Sequence, residues 1–80
     1  MRNEERVAEI SNAIDRVKVA AGLSSDNRLA GALDVTKQAL SIWRKRGRVP
    51  ALRACQMEVL SGGEVGWRDL APEIVKELEG

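Results

Sequence analysis

The sequence contains no histidine, no phenylalanine, no tyrosine and a single cysteine, Cys55, in 80 residues. One thiol excludes an internal disulfide, and without histidine a zinc cluster has no ordinary ligand set. Strand-forming aromatics are nearly absent and no stretch alternates with period two, which argues against β-structure. No apolar run approaches membrane-span length, and the opening MRNEERVAEI carries charges where a signal peptide needs apolar residues. A cytoplasmic setting is the expectation, consistent with the lone thiol. Excess charge is lacking too: 13 basic and 12 acidic side chains leave a formal net of +1.

What is present is an uneven distribution of that charge. Residues 1–20 carry four basic and four acidic groups, and residues 21–36 carry one basic against two acidic. Residues 37–53 hold Lys37, Arg44, Lys45, Arg46, Arg48 and Arg53 with no acid, whereas residues 54–80 hold two basic and six acidic groups. A solvated surface normally interleaves both signs, so a one-sign block points to a polyanionic partner.

The length predicts one small domain, residues 1–80, burying only roughly 60% of its unfolded surface. Its elements are expected to be helical. Val7, Ile10, Ile14, Val17 and Ala21 follow the spacing of one buried face, predicting a helix from about Asn3 to Ala21 closed at Gly22. Ser24, Ser25 and Asp26 can cap a short second helix, about Asp26–Leu33, with Leu29, Ala30 and Leu33 inward. Asp34 stands at the turn, where a left-handed residue is needed, and Thr36 caps a third helix that ends before Gly47. Pro50 suits the start of a fourth helix, Ala51–Leu60, closed by Gly62-Gly63. Trp67, Leu70, Ile74 and Leu78 then suggest a last packing segment, interrupted at Pro72.

Two helices joined so tightly predict a helix-turn-helix over residues 26–46. At about 100° per residue, Ala39, Leu40 and Trp43 share the inner face of the third helix, and Lys37, Gln38, Ser41, Ile42 and Lys45 the outer one. That outer face carries the groups that base edges in a major groove need. Glutamine pairs with adenine, lysine donates to guanine, and an apolar side chain meets the thymine methyl. Thr36, Lys37, Gln38, Ser41, Ile42 and Lys45 are therefore the expected base contacts. Arg44, Arg46 and Arg48, with Arg28 at the start of the second helix, are the expected phosphate contacts.

The run LAGALDVTKQALSIWRKRGRVP resembles the helix-turn-helix of Cro-type phage repressors, and especially the YdaS-like prophage antitoxin and Cro group. The carriers are LA-x-x-L, VT-x-QA-x-S-x-W and RG-x-VP, followed by a tail like GGEVGWRDLAPEI, so the likeness spans about residues 13–73. Two features depart from that pattern: Asp34 replaces the frequent glycine, and the first eleven residues extend beyond the usual start. The resemblance implies an all-α, lambda-repressor-like bundle of about five helices acting as a transcriptional repressor. It implies operator DNA as partner, bound by a homodimer in the bacterial cytoplasm at the nucleoid, with residues 64–80 packing or pairing. Symmetric recognition helices would lie about 34–36 Å apart.

Other signals carry less. Trp43 and Trp67 fall on inner stripes and read as core. Cys55, with Leu52 and Val59, reads as a small buried hydrophobe on the fourth helix, while Arg53 and Met57 project outward, where they are candidates for a dimer contact. The Gly62-Gly63-x-x-Gly66 cluster lacks the phosphate-loop lysine and is a turn. Neither a catalytic constellation nor a metal or cofactor site is expected. The rival reading is a protein-interaction module of the same fold, an antitoxin or adaptor that does not bind DNA.

Overall fold

A computed structural model describes residues 3–72, and among them five helices and no strand: α1 (Asn3–Ala21), α2 (Asp26–Leu33), α3 (Lys37–Arg46), α4 (Ala51–Leu60) and α5 (Trp67–Leu70). α1 opens with Glu4 and Glu5 in its first turn, where carboxylates oppose the positive end of the helix dipole. It closes at Gly22, whose φ of 71° turns the chain so that the Leu23 N–H donates to the Lys18 carbonyl at 2.8 Å. Ile10, Ala13, Ile14 and Val17 bury one stripe, while Glu4, Glu5, Glu9 and Arg16 stay in solvent.

α1 lies across the other helices, touching α3, α4 and α5, while α2 packs on α3 and α4. The core between them contains Leu29, Leu33, Leu40, Val49, Ala54, Met57, Val65 and Leu70, with Trp43 and Trp67 half-buried at its edge. The tryptophans thus pack as the inner stripes predict. Helix bounds agree with the sequence expectations, except that Pro50 stands at the N-cap of α4 rather than inside it. Ile74 and Leu78, expected to continue the last stripe, lie outside the described residues.

The facing of α4 corrects the sequence reading. Met57 is fully buried beside Ala54, whereas Cys55 is exposed together with Leu52 and Val59. Arg53 is half-buried, and its guanidinium donates to the Leu33 carbonyl at 2.8 Å and to Gln56 Oε1 at 2.9 Å. The helix is thus rotated from the expected face. The arginine finds a carbonyl acceptor at the end of α2, and the flexible methionine fills the core that Leu52, Cys55 and Val59 were expected to fill.

After α4 the chain is held by side-chain caps. The buried Ser61 hydroxyl donates to the Glu58 carbonyl at 2.8 Å and accepts from the Val65 N–H at 3.1 Å. Glu58 Oε1 accepts the Trp67 N–H at 2.8 Å, serving the first turn of α5.

Candidate nucleic-acid interface

The two helices of the motif meet through a turn of three residues. Asp34 adopts φ 57° and ψ 43°, the left-handed conformation, and is the one non-glycine with positive φ among the described residues. Its N–H donates to the Gly31 carbonyl at 3.2 Å, and the Val35 N–H reaches back to Ala30 at 2.9 Å. Arg53 supplies a further donor to the last carbonyl of α2. The turn is therefore closed from both sides, and α3 leaves it at a fixed angle.

α3 begins where the Thr36 hydroxyl accepts the Ala39 N–H at 3.1 Å. It ends at Gly47, with φ 65°, after which the Arg48 N–H donates to the Trp43 carbonyl at 3.1 Å. A Cβ on Gly47 would lie 3.0 Å from both Cα and Cγ2 of Val7, so the end of α3 rests directly on the α1 backbone. Leu40 is fully buried and Trp43 half-buried, which turns the opposite face outward.

On that outward face Lys37, Gln38, Ser41, Ile42 and Lys45 are all exposed, as is Thr36 at its start. Apart from the Thr36 cap, these side chains make no hydrogen bond or ion pair among the described residues. Ile42, 45% exposed, borders a hollow of about 260 Å³ lined also by Trp43, Arg46, Val49 and Leu70. Arg28, Arg46 and Arg48 are exposed as well, Arg28 on the first turn of α2 and the other two beside the end of α3.

Arg44 is placed differently from the expectation of a phosphate contact. Its side chain is only 19% exposed. Nε and one terminal nitrogen grip both oxygens of Asp26 at 3.0 and 2.8 Å, and the same nitrogen reaches Asp15 at 2.8 Å. The other terminal nitrogen donates to the Ser11 carbonyl and hydroxyl at 3.1 and 2.6 Å. All five guanidinium donors are thus engaged within the fold. Lys18 adds a contact to Asp26 at 3.0 Å.

Hydrogen bonding from Arg44 holds the Asp26 carboxyl below its ordinary value, against its partial burial and with help from Lys18. Burial pulls the Arg44 guanidinium down, but its bonds to Asp26 and Asp15 outweigh that and raise it. The network ties α1, α2 and α3 together and fixes the rotation of α3 about its own axis. Sequence reasoning missed this role, although a signal existed. Arg44 lies only about 40° from Leu40 on a helical wheel, on the flank of the inner face.

No helix of the described residues is long and apolar enough to cross a membrane. A family model, the bacteriophage CI repressor helix-turn-helix domain, matches residues 12–63, a span that takes in all of α2, α3 and α4. No curated protein and no solved structure matches the chain significantly.

Proposed function

Since the chain belongs to the bacteriophage CI repressor helix-turn-helix family, a group of DNA-binding regulators, we propose that it is a sequence-specific transcriptional repressor acting on operator DNA in the manner of Cro. One observation carries the reading. The face of α3 turned away from the core exposes the hydrogen-bonding side chains of Lys37, Gln38, Ser41 and Lys45 around the apolar Ile42, on a helix capped at both ends. In this proposal α3 enters the major groove, and Thr36, Lys37, Gln38, Ser41, Ile42 and Lys45 meet the base edges. Arg28, Arg46 and Arg48 bind phosphates on either side, which supplies affinity and register without sequence information. Arg44 is left out of that set because its donors hold the helix in place.

The proposal takes residues 1–80 as one DNA-binding domain that works in the cytoplasm, at the nucleoid. It represses by occluding a promoter as an operator-bound dimer, and includes no catalytic step. Mobility-shift titrations test it, comparing the DNA that flanks the protein's own gene with random duplex across a range of salt. Tighter retardation of the flanking DNA is the expected result. No retardation of any duplex at low salt would overturn the reading and favour the interaction module.

A further inference from the structure

The chain leaves the described residues at Pro72, and Pro72 itself lines the hollow at the end of α3. Val49 and Leu70 give that hollow a fully buried apolar lining, Ala71 is nearly as buried, and the half-buried Trp43 stands beside them. Arg46 and Arg48 also line it and are exposed, so apolar surface and basic charge meet in one place. These are two of the arginines assigned above to phosphate. An apolar cavity of about 150 Å³ takes up benzene, so about 260 Å³ has room for two aliphatic side chains.

We infer that this hollow is the docking site of residues 73–80 of the same chain, and that the docked segment masks Arg46 and Arg48 from DNA. Its sequence is EIVKELEG. Ile74, Val75 and Leu78 recur at helical spacing and supply the apolar groups. Glu73, Glu77 and Glu79 outnumber Lys76 and complement the two arginines. Attachment favours this occupant over a free ligand of the same chemistry. The segment is rooted at the edge of the hollow, and its eight residues reach about 12 Å as a helix or about 26 Å extended. So short a tether gives an effective concentration on the order of millimolar, and a contact too weak to hold a separate molecule suffices.

The consequence is regulatory and rests on the DNA-binding reading, although the docking itself does not. Glutamates held against Arg46 and Arg48 compete with phosphate for the same guanidinium groups. Ile42, which borders the hollow from the outward face of α3, brings the docked segment to the edge of the base-reading surface. DNA therefore binds the undocked fraction. With about nine copies in ten docked, apparent affinity falls about 10-fold, and it falls equally for operator and random duplex because both need the undocked form.

The test uses the full chain, free and with DNA. In the free chain, nuclear Overhauser contacts should join the methyls of Ile74, Val75 or Leu78 to the Trp43 ring and Val49, and isotope-filtered mixtures should place both ends in one copy. Ile74→Ser with Leu78→Ser should remove those contacts and leave the amide spectrum of α1 to α4 in place. That pair changes no charge, so general repulsion between DNA and an acidic segment predicts no effect on binding. Unmasking predicts affinity about 3–10-fold higher for operator and random duplex alike. Glu73→Gln with Glu77→Gln should loosen the same contacts and also raise affinity, which keeps the test available where the serine pair disturbs folding. Absence of the contacts in the wild-type chain would overturn the inference, as would contacts that run between copies. An affinity unchanged or lowered once the contacts are gone also overturns it. The NMR contacts need no DNA, so failure of the operator reading leaves the docking tested.

Discussion

Arg44 and Lys45 are neighbours with opposite tasks, and one peptide unit of rotation separates them. Lys45 stands in solvent on the outer face of α3, while Arg44 turns back onto Asp26, Asp15 and Ser11. The planar fork explains why arginine is needed there. It makes two bonds to Asp26 and three more to Asp15 and Ser11 of α1, five in all, which an ammonium with three donors cannot match. Arg44→Lys should therefore cost about 1–3 kcal/mol of stability, measured by urea denaturation, and should weaken DNA binding only through the altered set of α3. Gln38, fully outward, should behave in reverse. Gln38→Ala should leave Tm unchanged and relax discrimination at one base pair by about 1–3 kcal/mol. Equal loss on operator and random duplex in a binding titration would count against the base contact.

At the scale of elements, α3 is defined by the two left-handed residues that bracket it. Asp34 takes a conformation that a side chain disfavours by roughly 1–2 kcal/mol, less for aspartate than for most, and its chemistry was visible in the sequence as a turn. Asp34→Gly should hold or raise Tm, whereas Asp34→Val should lower stability by at least about 1 kcal/mol. Gly47 is constrained twice, by φ and by the Val7 backbone 3.0 Å from where a Cβ would lie. Gly47→Ala should destabilise by more than about 1 kcal/mol, with thermal melts showing a larger loss than Asp34→Ala. Of these two reasons only the first was legible. A close approach between residues forty positions apart in the chain leaves no local mark. α4 shows the same limit. Its bounds followed from Pro50 and Gly62, but Met57 and Cys55 are both apolar enough for either face, and only the neighbours decide.

For the whole molecule, electrostatics acts in two places. Asp26 has its pKa lowered from 3.8 in the folded chain, so its ion pairs stabilise fully above the unfolded value and lose that contribution as pH falls through the folded one. Acid should thus loosen the contact among α1, α2 and α3. The stability difference between wild type and Asp26→Asn should be constant near neutrality and shrink below about pH 4, as read by denaturant melts across pH. On DNA, the exposed arginines should set the salt response. Arg46→Ala or Arg48→Ala should weaken binding to every duplex and flatten the log–log salt slope by about one. An unchanged slope would remove that residue from the phosphate set.

The sequence by itself determined the helices, their caps and the inner and outer faces of α3, because periodicity, capping oxygens and left-handed turn residues act within a few positions of themselves. It also determined where basic charge gathers. Tertiary structure decided which of those charges face outward, because burial depends on partners far along the chain. Asp26, Asp15 and Ser11, none of them adjacent, draw Arg44 inward, and the Leu33 carbonyl draws Arg53. By turning Arg53 and Met57 in, the packing also set Leu52, Cys55 and Val59 out, a face that no spacing rule within α4 could distinguish from its core.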